Sequence, residues 1–389
     1  MSYSIRSMTA RRYDLDWLRV FTIGGVFLFH STCFFAVNNF YFANTTTDVV
    51  FLVLAMFFLL WIMPVLFVIS GLVTYYLLFF LKPREVVRQR FFRLIVPYVF
   101  GILAIAPFLV YLNEKTMGVF SGSFIEFYLF HYFHGIYGFG GSFALFGLHL
   151  WYLMYLFIFT ILAIVIARLF WTRSSKRMMQ RSVHVLERPG AIFLLSIPII
   201  LTSFISYLEP EFIGRTSTGG WGMVPLVIFF FYGMVFGVDR RFDTILQRHW
   251  KTAGVVAAVF IVLYAWTIGT SLNNTMNPLI MCVIIGIASF SIIVFLFGLF
   301  HSIGSHGSKL LRRMNEAVLP FYIIHFPVLV FVAYYVINLQ LNIFLEYLLI
   351  VPISLVIILG LCALVSRVSV LRWLFGMKSK KKERPEPQS

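Results

Sequence analysis

Ten long apolar stretches, separated by short segments that carry nearly all of the charge, leave this chain few ways to fold. A helix needs about 20 apolar residues to cross the hydrocarbon core of a bilayer. Stretches of that kind fall near 17–37, 49–81, 92–112, 149–171, 191–208, 222–238, 253–272, 278–300, 317–336 and 343–366. The predicted fold is therefore an all-α polytopic membrane protein with about ten transmembrane helices. The composition agrees: 60% of residues are hydrophobic, 12% are charged, and 46 Phe run along the whole length, so no large soluble domain is expected. The stretch 49–81 is too long for one straight span. It contains Pro64 and then Phe67-Val-Ile-Ser-Gly71, which predicts a kinked or broken helix.

The charges set the orientation. Placing the N-terminus in the cytoplasm puts 28 of the 31 Lys and Arg residues on that side, leaving Arg19 within a span and Lys115 and Arg215 outside. Basic cytoplasmic loops are the rule for membrane proteins, so both termini are expected to be cytoplasmic. The net charge of +16 is thus a matter of topology, and no nucleic acid is expected as a partner. Residues 377–389 are read as a basic, disordered cytoplasmic tail. The largest outer loop, about 113–148, is rich in aromatic residues suited to a membrane interface or a sugar-stacking surface. Cys33, Cys282 and Cys362 all lie in apolar segments without CxxC spacing, so neither a disulfide framework nor a zinc site is indicated. His131 and His134 are spaced i, i+3 but lack a third ligand, so no metal is expected.

Arg19 and His30 are the sharpest pair. They lie eleven positions apart in the first span, within about 20° of one helix face and roughly 16 Å apart along the axis. A basic residue within a span faces a cavity or a partner, or else snorkels to the interface. Arg19 could do either, with Asp16 at i−3 as the partner in the second case. His30 is too deep to snorkel easily. His149, in His149-Leu-Trp151-Tyr-Leu153, is either an interface residue or a functional one. His325, in Tyr322-Ile-Ile-His325-Phe-Pro327, is either a satisfied core histidine or a functional one. Arg90 and Arg93 open the third span, where they either mark topology or bind phosphate. No nucleophile elbow, phosphate loop, dinucleotide fingerprint or metalloprotease motif is present.

Together these segments resemble the acyltransferase-3 family of membrane acyltransferases. Tyr13-Asp-Leu-Asp16-Trp-Leu-Arg19 through His30 resembles the family's Arg-x10-His signature. Phe67-Val-Ile-Ser70-Gly71, Arg90-x-x-Arg93-Leu-x-x-Pro97 and Ala317-Val-Leu-Pro-Phe-Tyr322-Ile-Ile-His325 resemble three further family segments, in order. His149-Leu-Trp151-Tyr-Leu153 and Leu371-Arg-Trp-Leu-Phe-Gly376 look most like the branch of glucans biosynthesis protein C.

The resemblance implies a single acyltransferase-3-type transmembrane domain over residues 1–376 in the bacterial inner membrane. It implies O-acyl transfer from cytoplasmic acyl-CoA, succinyl-CoA in that branch, to a hydroxyl of a periplasmic or cell-surface glycan. On that reading His30 and Arg19 are catalytic, and Asp16, Ser70, Arg90, Arg93, His149, Trp151, Tyr322 and His325 bind substrate. No permanently bound cofactor and no metal is expected. The expected partners are acyl-CoA, a glycan acceptor such as a periplasmic glucan, and the lipid bilayer, with a homodimer left open. The rival reading is a secondary transporter of a small anionic or glycan-related solute. It would need an acidic coupling residue within a span, for which Glu346 is the main candidate.

Overall fold

Pro64, Pro97 and Pro107 interrupt helices that the apolar runs would otherwise continue, and the breaks shape the interior. A computed structural model of the chain describes residues 11–38, 40–41, 46–137, 141–142, 144–145, 147–170, 181–208, 221–271, 277–304 and 306–378. Its ten apolar helices are α1 (Tyr13–Ala36), α2 (Val49–Phe80), α3 (Pro83–Thr116), α4 (Leu148–Ala167), α5 (Ala191–Ile205), α6 (Met223–Val238), α7 (Arg241–Ile268), α8 (Pro278–Ile303), α9 (Lys309–Ile337) and α10 (Ile343–Arg367). Among the described residues, eight are long and apolar enough to cross a membrane, and α5 and α6 are shorter. Each coincides with one of the ten expected stretches, and the chain is a multi-pass membrane protein. Its only strands among the described residues are a two-residue antiparallel pair, Ile136–Tyr137 with Gly141–Ser142, in the loop before α4. Residues 379–389 of the expected tail, and Arg215, lie outside the described residues.

The break expected in α2 falls at Leu60–Trp61, which puts Pro64 in the first turn of the helix that restarts at Ile62. A proline is tolerated there because its missing N–H has no intrahelical partner to lose. Phe67–Gly71 then runs as regular helix. Gly71 faces α6 so closely that a Cβ on it would lie 1.8 Å from the Phe230 carbonyl oxygen. A Cβ on Gly233 of α6 would lie 1.9 Å from the carbonyl oxygen of Val68. Small residues let backbones approach in this way where lipid offers no hydrophobic drive between helices. Gly71→Ala and Gly233→Ala are therefore expected each to destabilise the protein by about 1–3 kcal/mol, read as a lowered Tm of the detergent-solubilised protein. An unchanged Tm would show that the contact yields freely.

In α3, π-helical turns at Phe91–Ile95 and Gly101–Ile105 stand just before Pro97 and Pro107. Each proline withholds one helical N–H, and the turn widens around the gap. The carbonyl of Arg93, four residues before Pro97, lies against the C-terminal segment. A short helix α11 (Ser369–Leu374) leads to Gly376 at φ 64°, where a Cβ would lie 2.6 Å from the Arg93 oxygen. Phe375 packs on Phe100 with ring centroids 5.4 Å apart.

α1 is the central helix, packed against α2, α8, α9 and α10. Arg19 meets Asn315 of α9, and His30 meets His325 of the same helix. Residue number rises along both helices in the same direction, so α1 and α9 run parallel. α10 follows α9 across the short link 338–342. The first and last apolar helices thus have their outer ends at one end of the bundle. The charged segments gather there too. Arg12 forks between Asp14 (2.8 Å) and Asp243 (3.0 Å), and His301 lies 3.2 Å from Asp14. In the link before α7, the side-chain hydrogen bonds from Arg241 hold the carboxyl of Asp239 below its usual range.

Candidate functional site

Polar side chains that apolar helices carry inward must find partners there. On α1, α2, α3, α4 and α9 they form two adjoining clusters. The first lies about 9 Å in from the start of α1. A cavity of about 50 Å³ is lined by Arg19, Ile23, Leu66, Ile69, Ser70, Tyr152, Val318, Leu319 and Tyr322. Ser70 Oγ and the Tyr152 hydroxyl share a hydrogen bond of 2.6 Å. One turn further along α2, Thr74 donates to the Ser70 carbonyl (2.7 Å) and accepts from Nη2 of the buried Arg90 (2.8 Å). Arg90 Nε is buried with no partner. Arg93, at i+3, keeps exposed surface.

Among the described residues, no ion pair engages Arg19, Arg90 or Arg93. Asp16 is not the direct partner of Arg19. Its Oδ2 accepts from Arg11 (2.7 Å) and its Oδ1 from Asn315 Nδ2 (2.5 Å). Asn315 Oδ1 in turn accepts from Arg19 Nη1 (3.3 Å). One neutral amide thus stands between the carboxylate and the guanidinium, and leaves most of the Arg19 donors unused.

The second cluster is three histidines around Phe326. The rings of His30 and His149 lie 4.7 and 5.0 Å from that of Phe326, and His325 lies 5.0 Å from His30 and 5.8 Å from His149. His325 and His149 are buried, whereas His30 is only partly so. His30 Nδ1 lies 3.1 Å from the carbonyl of Val26 and 3.0 Å from His325 Nε2. His325 Nδ1 donates to the Tyr322 carbonyl (2.6 Å). His149 Nε2 donates to the carbonyl of Ile323 (3.1 Å), so its Nδ1 is a lone pair, and that atom is buried without a partner. The Tyr322 hydroxyl donates to the carbonyl of His149. Tyr322 thus borders the cavity and braces the histidines, joining the two clusters.

A chain with an arginine-lined cavity at one depth of its first helix and a histidine at another matches the acyltransferase domain of the acyltransferase-3 family over residues 12–367. The chain belongs to this family. It is a membrane acyltransferase. No curated protein and no solved structure matches the chain.

Within this acyltransferase, Arg19, Ser70 and Tyr322 line one cavity, and His30, His149 and His325 meet in one cluster. Trp151 is not among the cavity residues. It packs on Tyr155 and Phe67, with ring centroids 5.6 and 6.3 Å away, and its neighbour Tyr152 faces the cavity. Asn315, Thr74 and Tyr152 were missed. A lone Asn after Arg312-Arg313 and a Thr one turn beyond Ser70 were the only signals. Asn342 caps α10, and Glu346 in the first turn accepts from the N–H of Leu341 (3.0 Å) in the link before it. His131 packs on Phe120 with centroids 4.7 Å apart.

Proposed function

We propose that this acyltransferase moves an acyl group from acyl-CoA to a hydroxyl of a glycan across the thickness of the bundle. The observation that carries the reading is the contrast between the two clusters. One presents guanidinium groups without carboxylates, and the other presents a partly exposed histidine ring. A buried cation such as Arg90, and a half-buried one such as Arg19, that lack a direct counter-ion favour an anionic ligand. CoA is polyanionic, and Arg forks match phosphate and carboxylate oxygens in pairs. Arg90 and Arg93 grip the CoA phosphates at the cytoplasmic end of α3, and Arg19 holds the donor deeper in. The 16 Å or so between Arg19 and His30 along α1 is a reach that an extended pantetheine arm covers. It brings the thioester carbonyl to His30, which takes the proton of the attacking hydroxyl as general base. His149 Nδ1 accepts a hydrogen bond from a substrate hydroxyl or a water.

The acceptor enters from the periplasmic side, with both termini in the cytoplasm of an inner-membrane protein. A periplasmic glucan as acceptor and succinyl as the transferred group follow the resemblance of the segments 149–153 and 371–376. The transporter reading needs an intramembrane carboxylate, and Glu346 lies in the first turn of α10 with its carboxylate bonded to the link residue Leu341.

Acyl-CoA is expected to protect the purified protein from heat, by an amount that grows as the logarithm of its concentration above Kd. The Arg90→Glu/Arg93→Glu protein is expected to lose at least about 10–100-fold in acyl-CoA affinity, the equivalent of a single charged hydrogen bond of about 1.5–3 kcal/mol. Equal protection of both proteins would reduce these arginines to topology signals.

A further inference from the structure

We infer that His325 acts through His30 as a positioning residue: it fixes the tautomer of His30 and shares its proton, and does not bind substrate. The inference rests on the reading of His30 as the base.

The hydrogen bonds assign the ring protons. A carbonyl oxygen only accepts, so His325 Nδ1, 2.6 Å from the Tyr322 carbonyl, must carry a proton. In the neutral ring Nε2 is then a lone pair. That lone pair lies 3.0 Å from His30 Nδ1, which must therefore donate. His30 Nδ1 has a second neighbour, the Val26 carbonyl at 3.1 Å, and this too can only accept. Two separate acceptors call for a proton on the same nitrogen. His30 is thus the Nδ1–H tautomer, and its Nε2 is bare. The tautomer of a working histidine is set by what its other nitrogen bonds.

The pair also suits the charge that develops. As the acceptor oxygen forms its bond to the thioester carbon, the hydroxyl proton moves to His30 Nε2. The C–S bond then breaks with its electron pair on sulfur. The same proton passes from Nε2 to the thiolate and releases the CoA thiol. In between, His30 is an imidazolium whose Nδ1–H points at the His325 lone pair. If that proton moves across, His325 becomes the imidazolium, with Nε2–H facing His30 and Nδ1–H still on the Tyr322 carbonyl. The N–H between the two rings and the Nδ1–H of His325 keep an acceptor in either state, and the His30 Nε2–H is the one left to protonate the thiolate. A buried side chain with 1% of its surface exposed has none left for substrate. His149 stays outside this pair, since its Nε2–H is held by Ile323.

The test needs no glycan. Ring-15N histidine spectra of the full-length protein in detergent report the tautomer of His30. Diethyl pyrocarbonate, an acylating probe, reports the nucleophilicity of its Nε2 by mass spectrometry at one near-neutral pH. We expect the Nδ1–H tautomer in the wild type. His325→Leu, which removes the acceptor that can also take the proton and leaves only the Val26 carbonyl, should slow modification of His30 on the order of tenfold. His325→Gln, whose Oε1 can still accept from His30 Nδ1, should restore most of that rate. A His30 Nε2–H tautomer, an unchanged rate in His325→Leu, or equal slowing in both variants would overturn the inference. Should His325→Leu not fold, the wild-type spectrum and the Gln rate still decide. A protein that shows the pair but transfers no acyl group would remove the base reading and leave the pair intact.

Discussion

His30→Ala is expected to lower acyl transfer on the order of 10²–10⁴-fold, the range a positioned general base contributes, while the protein still folds and binds acyl-CoA. The effect should fall on chemistry because, on the proposed function, the donor's charged groups are held elsewhere, at Arg19, Arg90 and Arg93. The structural cost should be modest. His30 is only partly buried, and its two hydrogen bonds go to its own helix and to His325. The lone pair of His325 loses its donor, at a cost of about 1–3 kcal/mol. The comparison is turnover at saturating donor against the acyl-CoA Kd from thermal protection. Near-normal turnover at a normal protein level would remove His30 from the chemistry. A matching loss of donor affinity would make it a binding residue.

Arg19 gives the second large effect, because charge and geometry predict different outcomes for its replacement by Lys. If Arg19 only snorkels, Lys should serve as well, since both side chains reach an interface. The surroundings argue for a geometric role. Arg19 lines the cavity, has no ion pair among the described residues, and gives Asn315 a single hydrogen bond. Its remaining donors can meet a carbonyl, phosphate or carboxylate in two parallel hydrogen bonds, which a Lys ammonium cannot copy. Arg19→Lys is expected to express normally and to lose about 10–100-fold in kcat/KM, the equivalent of one charged hydrogen bond. Arg19→Ala should lose more. Full activity of the Lys protein would leave the snorkelling account standing.

Much of this was legible in the sequence, and the parts that were not share a cause. Apolar length placed the eight helices long enough to cross a bilayer, because the bilayer fixes the number of residues needed, and the two shorter apolar helices α5 and α6 also fall on expected stretches. The eleven-residue spacing put Arg19 and His30 on one face of α1, and both do face α9. The partners on α9 were only half visible. His325 stood out as a titratable group in an apolar run, but Asn315 did not, and Asp16 offered itself as the partner of a snorkelling Arg19 because it is close in sequence. Side-chain pairing between helices depends on their register, and periodicity within one helix does not encode it. The same holds for Trp151 and Tyr152. Adjacent residues on a helix point about 100° apart, and only the position of α2 decides which of them meets Ser70. The break in α2 was expected from Pro64. It falls earlier, at Leu60–Trp61, because a proline fits the first turn of a helix and not its middle.

The central claim is transfer itself. Purified protein in proteoliposomes, given labelled acetyl-CoA or succinyl-CoA and a periplasmic glucan, tests it most directly. The account predicts label on the glucan, release of CoA thiol in equal amount, and loss of both in the His30→Ala protein. Accumulation of labelled solute inside the vesicles, with no label on the glucan and no thiol released, would contradict it.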